Sequence, residues 1–205
     1  MSPPGRLALG LAAVVAAMVV LFAVPAGYFV AATFGATAVM LAAAYALGAL
    51  RPPKSLRVPA LAAGVASAVA LYLLFYLGAA AIDAFHPLGI TSASESSIYS
   101  LISSPSNPLP LQVGLLLFDA AGYESFFRGV LQSRLSTRMG VGAAPAVALL
   151  DAALHVVTLN PVWVGATFVT DLVWGLTYHY GRGTQASFTS HFLWDLAIFI
   201  LRPVV

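Results

Sequence analysis

The stretch that decides the fold of this 205-residue chain runs Asp119-Ala-Ala-Gly-Tyr-Glu-Ser-Phe-Phe-Arg-Gly-Val-Leu-Gln132. It places two carboxylates and an arginine inside a segment that otherwise has the apolar character of a membrane span. Ionisable side chains are costly at membrane depth, so they mark a functional site by default. The rest of the sequence is therefore interpreted by asking which other residues converge on this stretch.

The composition indicates an integral membrane protein. The chain is 60% hydrophobic and only 8% charged, whereas a soluble domain carries about 25% charged residues. The net charge of +2 is too small to suggest nucleic-acid binding, so no nucleic-acid partner is expected. Because the chain has no cysteine, disulfides, thiolate metal sites and cysteine nucleophiles are excluded.

Apolar segments of about 20 residues, the length that spans a bilayer, occur repeatedly along the chain. We interpret the first as a membrane helix rather than a signal peptide, because its apolar run is long enough to span. The fold class predicted is all-α: a polytopic membrane protein of about seven transmembrane helices in one bundle. The predicted helices are about 6–24, 28–50, 58–83, 110–136, 142–158, 162–180 and 186–202.

The same pattern predicts one transmembrane domain over 1–205 with three parts. Residues 1–83 form apolar scaffold helices, because they carry almost no polar side chains. Residues 84–109, rich in serine and proline, form a loop outside the membrane, with a possible short interfacial helix at 97–103. Residues 110–202 form the helices that carry the polar motifs.

Basic residues alternate between the two sides of the predicted bundle. Since cytoplasmic loops are enriched in Lys and Arg, we expect a cytoplasmic N-terminus and an outside C-terminus, in the plasma membrane. Only Arg202 departs from this pattern. The cytoplasmic set is Arg6, Arg51, Lys54, Arg57, Arg134, Arg138 and Arg182.

Polar residues of the late helices are spaced four apart, which places each pair on one helix face. We therefore predict a polar cavity formed by helices 4, 5 and 7 that opens toward the cytoplasmic half. Asp171 has no obvious partner and is interpreted as a structural helix-pairing residue. The pairs are Asp119 with Tyr123, Glu124 with Arg128, Asp151 with His155, and His191 with Asp195.

Three motifs in order resemble the CPBP intramembrane proteases, the family of type II CAAX prenyl proteases and bacteriocin-processing proteins. Tyr-Glu-Ser-Phe-Phe-Arg128 resembles the family's Glu-Glu-x-x-x-Arg motif. Asp151-Ala-Ala-Leu-His155 stands where the family has Phe-x-x-x-His, and His191-Phe-Leu-Trp-Asp195 matches His-x-x-x-Asn/Asp. The resemblance covers about residues 110–200.

The resemblance implies an intramembrane endopeptidase whose substrate is a membrane-embedded or lipidated peptide or protein. In the family, the first glutamate and the second-motif histidine activate a water molecule, and the third motif stabilises the oxyanion. Carried over, His155 activates water, and His191 with Asp195 binds the oxyanion. Glu124 matches the second glutamate and Arg128 the arginine.

Two positions depart from the family pattern: Tyr123 replaces the first glutamate, and Asp151 replaces the phenylalanine. A phenol with its ordinary pKa of about 10 is a poor base near neutral pH. Three interpretations stay open. Glu124 takes the base role with help from Asp151 and His155, Asp119 supplies the missing carboxylate, or the protein has lost proteolysis and kept the fold.

Other interpretations concern the same residues. The polar pairs are also consistent with purely structural ion pairs and hydrogen bonds between helices. A catalytically inactive homologue that binds a membrane protein or lipidated peptide is the first alternative function, and an ion- or proton-coupled carrier is the second. No cofactor or metal is expected, with zinc at His155, His191 and Glu124 as the alternative.

Overall fold

The computed structural model describes residues 3–50, 55–85, 99–101 and 107–202, and throughout these ranges the ordered elements are helices. Seven long helices, numbered here in chain order, form the bundle, and short 3₁₀ turns lie between them at Ala26–Tyr28, Gly140–Gly142 and Val156–Thr158. The helices are α1 (Pro3–Ala23), α2 (Phe29–Ala46), α3 (Val58–Phe85), α4 (109–139), α5 (Ala143–His155), α6 (Pro161–Gly181) and α7 (184–201).

The all-α prediction with seven helices is confirmed, and most predicted ends lie within three residues of the observed ones. The largest error is at the end of α2, predicted at 50 but observed at Ala46. Gly48 there adopts a φ of +72°, a left-handed conformation that glycine tolerates and that ends helices.

Most of the predicted 84–109 loop lies outside the described residues. Its first two positions belong to α3, which continues to Phe85. Within the predicted interfacial helix at 97–103, residues 99–101 are helical. The rest of that segment lies outside the described ranges.

The helix that carries the decisive stretch is not α-helical throughout. It is α-helical over Leu109–Tyr123, π-helical over Glu124–Gln132 and α-helical again over Ser133–Met139. In the π-helical part the backbone N–H donates to the carbonyl five residues back, as Ser133 does to Arg128. Long π-helical stretches are rare and occur frequently at functional sites. The sequence analysis did not predict this change of winding.

Four helical stretches are long and apolar enough to cross a membrane within the described part of the chain. They are Pro4–Ala23, Ala26–Ala46, Val58–Ala81 and Leu109–Thr158. The last covers both α4 and α5, which are separated by a turn at Gly140, where φ is +56°. The predicted crossings by α6 and α7, which carry more polar residues, remain a prediction.

Helix α4 lies inside the bundle rather than on its rim. Of the nine residues in its π-helical part, all but Ser125 and Gly129 are buried. One apolar core joins α1, α2 and α4, and includes Met18, Met40 and Phe127. A second joins α3, α6 and α7. Residues of α4 therefore meet protein on nearly every side, which is what holds their polar groups in place.

Helices α2 and α4 approach closely at Gly122. A Cβ atom added there would lie 2.5 Å from Thr37 Cγ2 and 3.1 Å from the Thr37 carbonyl oxygen. The hydroxyl of Thr37 donates a hydrogen bond of 2.8 Å to Asp119 Oδ1, one turn before Gly122. Small residues permit such backbone approach between membrane helices, so Gly122 sets the position of Asp119 against α2.

We expect Gly122→Ala to destabilise the protein, because the new methyl group forces α2 and α4 apart. Overpacking of this kind costs about 1–3 kcal/mol. Thermal unfolding in detergent measures the loss as a lower midpoint. Gly114→Ala is the matched control on the same helix, since a Cβ atom there meets nothing within 4 Å. A midpoint for Gly122→Ala equal to that of the control would contradict the close approach.

Candidate active site

His191 of α7 lies between two carboxyl groups. Its Nδ1 is 3.0 Å from Glu124 Oε1 of α4, and its Nε2 is 3.3 Å from Asp195 Oδ2, one turn further along α7. All three side chains are buried. The predicted pairing of His191 with Asp195 is present, and Glu124 joins it from another helix.

Trp174 of α6 stacks on the His191 ring, with centroids 3.6 Å apart and planes 11° from parallel. Tyr123 meets the same ring edge-on at 5.6 Å. An aromatic face against imidazole favours its positively charged form and also fixes the ring plane. The orientation of His191 is thus held by contacts at both ring nitrogens and by a ring on its face.

Arg128 is fully buried and bridges α4 to α6. Its Nη2 donates to both the side chain and, at 3.0 Å, the main-chain oxygen of Asp171. Its Nε lies 3.7 Å from Glu124 Oε2. Asp171 thus pairs α6 with α4, as its interpretation as a structural helix-pairing residue predicted. Its partner was not obvious from the sequence, because Arg128 lies on another helix and no spacing along α6 reveals it.

Gln132, one turn after Arg128, repeats this link to α6. Its Nε2 donates 2.7 Å to the carbonyl oxygen of Gly175, and its Oε1 accepts 3.2 Å from Arg128 Nη1. A Cβ atom at Gly175 would approach Gln132 Oε1 to 3.0 Å. Two hydrogen-bonded contacts one turn apart therefore fix the register of α4 against α6.

His155 ends α5, and its Nδ1 lies 3.0 Å from the main-chain oxygen of Asp151. Because a carbonyl oxygen only accepts hydrogen bonds, Nδ1 carries the proton. The Asp151 carboxyl oxygen Oδ1 is 3.7 Å from the same nitrogen. The His155 ring packs on Phe22 of α1 at 4.3 Å and on Trp163 at 5.9 Å. These contacts leave Nε2 as the acceptor nitrogen of the ring.

A cavity of about 530 Å³ lies beside both His155 and His191, and residues from all seven helices line it. The prediction named helices 4, 5 and 7, which do supply the acidic and histidine side chains; the other helices add a mainly apolar wall. The wall includes the aromatic residues Phe22, Phe29, Phe75, Trp163, Trp174 and Trp194. The polar lining residues include Asp119, Tyr123, Asp151, His155, His191 and Asp195.

The predicted site residues divide into two groups by position. The first group lines the cavity and consists of Asp119, Tyr123, Asp151, His155, His191 and Asp195. Glu124 and Arg128 do not; they lie behind His191 and connect it to Asp171. The described residues contain no group of three His, Asp or Glu side chains that could hold a metal ion, so the zinc set of His155, His191 and Glu124 is not assembled.

Sequence reasoning missed several residues that shape the site. Trp174, Thr37 and Gln132 were not predicted as site residues, although each contacts a predicted site residue. Thr37 had a usable signal, because Thr33 and Thr37 are hydroxyl residues one turn apart in an otherwise apolar helix. Trp174 had none, because large aromatics are common in membrane helices of every role.

The pattern of the type II CAAX prenyl endopeptidase Rce1-like family matches residues 105–197. The chain carries a domain of this family. The Rce1-like domain includes every acidic and histidine residue of the cavity wall together with Glu124, Arg128 and Asp171. No curated protein and no solved structure shows a significant match to the chain.

The Rce1-like domain at residues 105–197 and the four candidate spans together indicate an integral membrane protein. Three of those spans are α1, α2 and α3 with their flanking turns, and they lie before the Rce1-like domain in sequence. They nevertheless contribute to the same cavity, for example through Phe22, Thr33 and Phe75. The domain and the preceding helices therefore form one site.

We expect Asp171→Asn to destabilise the protein strongly, because it leaves the Arg128 guanidinium buried without its main counter-charge. Breaking a buried pair on one side costs about 3–5 kcal/mol. Unfolding of purified protein by heat or by SDS titration measures the loss. Arg138→Met, at an exposed arginine beyond the same helix segment, is the control for the positive charge that Arg128→Met removes in the double variant described next.

The double variant Arg128→Met/Asp171→Leu provides a second check on the same pair. Replacing both partners by apolar residues removes the uncompensated charge, so we expect a smaller loss than in Asp171→Leu alone. Equal losses in the two variants would show that the contact between Arg128 and Asp171 is not what the single substitution disrupts.

Proposed function

We propose that the protein is an intramembrane endopeptidase that hydrolyses a peptide bond in a membrane-associated substrate. The observation that carries this proposal is the meeting of two histidines and several carboxyl groups at one cavity inside an apolar bundle that carries an Rce1-like domain. Peptide hydrolysis needs a base for water and donors for the developing oxyanion. Both kinds of group line this cavity.

His155 is the base that takes a proton from the attacking water. Its Nδ1–H donates to the main-chain oxygen of Asp151, which leaves the Nε2 lone pair free to accept. The water oxygen attacks the peptide carbonyl carbon, and the water proton passes to Nε2. His155 then returns a proton to the leaving amine as the C–N bond breaks, so that a carboxylate and an amine are released.

His191 and Asp195 stabilise the oxyanion of the tetrahedral intermediate. Asp195 lines the cavity and faces Nε2 of His191, whereas Glu124, which faces Nδ1, does not line it. Nε2 is therefore the nitrogen on the cavity side. Glu124 holds the ring from behind, and Arg128 steadies Glu124. Glu124, Asp195 and Arg128 together hold the one N–H donor, that of His191 Nε2, in position.

The apolar part of the cavity wall receives the membrane-embedded or lipidated part of the substrate. Its side chains come largely from α1, α3, α6 and α7, and the whole wall includes seven phenylalanine and tryptophan rings. In this proposal α1–α7 each cross the membrane, with the N-terminus cytoplasmic and the C-terminus outside, and the protein resides in the plasma membrane. Lys54 and the arginines of the predicted cytoplasmic loops support that orientation.

A second candidate function is binding without hydrolysis. Tyr123, at the position of the family's first glutamate, favours it, because the phenol lies on the cavity wall where a carboxylate is otherwise expected. Such a homologue would hold a lipidated peptide in the same cavity. Cleavage measurements separate the two functions, provided that peptide binding is measured on the same samples.

We expect the purified protein in detergent to cleave an internally quenched farnesylated peptide ending in Cys-aliphatic-aliphatic-X, or its unprenylated counterpart. His155→Gln should reduce the rate by about 100-fold or more, the usual contribution of a general base. His179→Gln is the matched control, because His179 lies near the end of α6 and does not line the cavity.

Two outcomes would contradict this mechanism. Equal cleavage by the wild type and by His155→Gln removes His155 as the base. Binding of the farnesylated peptide without cleavage, under conditions in which a known CAAX endopeptidase cleaves it, favours the binding function.

A further inference from the structure

Tyr123 and Asp151, the two positions that depart from the family's motif pattern, lie next to each other. One is on α4 and the other on α5, 28 positions apart in sequence. The phenol of Tyr123 is close enough to the Asp151 carboxyl group to interact with it. The family's motif pattern has a glutamate at the first position and a phenylalanine at the second. This chain has an aromatic residue, Tyr123, at the first position and a carboxylate, Asp151, at the second.

The Asp151 carboxyl group has an environment unlike that of the other acidic residues in the bundle. It is 1% exposed, and neither of its oxygens forms a well-aligned hydrogen bond within the described part of the chain. The four other acidic side chains that the structure describes each have a partner. Glu124 and Asp195 contact His191, Asp171 contacts Arg128, and Asp119 accepts from Thr37.

A buried carboxyl group that neighbours a phenol and an imidazole but accepts no well-aligned hydrogen bond reduces stability, so its presence needs another explanation. Asp151 Oδ1 is 3.7 Å from His155 Nδ1, and both residues line the cavity. Because the Asp151 oxygens are themselves inaccessible to water, they cannot hold the attacking molecule. They can act only through a neighbouring side chain, and His155 is the neighbour with a free acceptor nitrogen.

We propose that Asp151 is a positioning residue that supplies, from α5, the negative charge that the motif pattern supplies from position 123. The proposal rests on the proposed endopeptidase function. When His155 Nε2 takes the proton of water, the ring becomes an imidazolium. The Asp151 carboxylate stabilises that cation from the Nδ1 side, while its main-chain oxygen keeps the ring oriented.

The first experiment compares Asp151→Asn with the wild type, using the farnesylated and unprenylated peptides. The amide keeps the shape and the main-chain hydrogen bond to His155 but removes the charge. We expect kcat to fall by about 100-fold with KM changed less than about twofold, since ground-state binding is untouched. The unfolding midpoint should stay equal or rise, because a poorly partnered buried charge is removed. Asp151→Glu should keep part of the rate.

The second experiment moves the charge. Tyr123→Glu in the Asp151→Asn background places a carboxylate at position 123, on the other side of the contact between α4 and α5, and should recover at least tenfold of the lost rate. Tyr123→Gln in the same background is the matched control, with the same size and no charge, and should recover none. A residue with only a structural role in α5 would not be rescued by a charge on α4.

The outcomes distinguish a failure of the endopeptidase function from a failure of the role of Asp151. The wild type is assayed under conditions in which a known CAAX endopeptidase cleaves the farnesylated peptide. If the wild type then cleaves neither peptide, both the endopeptidase function and the role of Asp151 are overturned. An active wild type with equally active Asp151→Asn overturns only the role of Asp151. Loss of cleavage in Asp119→Asn with full activity in Asp151→Asn assigns the carboxylate to Asp119 instead.

Discussion

The packing of the helices depends on the ion pairs and hydrogen bonds of one arginine, Arg128, which has no access to solvent. Arg128 carries a permanent charge into an apolar bundle, and such a charge is tolerable only when it is paired and hydrogen-bonded. Asp171, Glu124 and Gln132 provide that pairing. Because these partners come from α4 itself and from α6, satisfying the charge also sets the register of the two helices. Glu124, fixed in this way, presents its other oxygen to His191.

The winding of α4 is adapted to the same requirement. Arg128 and Gln132 both face α6, and Glu124 faces α7, although all three lie within nine consecutive residues. The π-helical segment has more residues per turn than an α-helix, so the angular positions of its side chains differ from those of an α-helix. The wider winding and the burial of nearly all its side chains make this segment the shared surface against which the other motif helices pack.

Much of the fold was predictable, because hydropathy and helix length report directly on membrane helices. Pairs four residues apart, such as His191 with Asp195, were predictable for the same reason: both members lie on one helix. Contacts between helices were not. Each of these contacts depends on the register of two helices, and residue spacing within one helix does not reveal that register. Examples are the partner of Asp171, the hydrogen bond from Thr37 to Asp119 and the closeness of Tyr123 to Asp151. The π-helical segment could not be predicted either, since its residues have ordinary helical composition.

The distribution of tryptophan has a practical consequence. The chain has three tryptophans, and Trp163, Trp174 and Trp194 all line the same cavity. Two of them contact the histidines, Trp163 beside His155 and Trp174 stacked on His191. Tryptophan emission, excited at a wavelength where tyrosine does not absorb, therefore originates entirely from the cavity wall. A molecule entering the cavity changes the surroundings of every emitting ring, so the unlabelled protein carries its own optical reporter of occupancy.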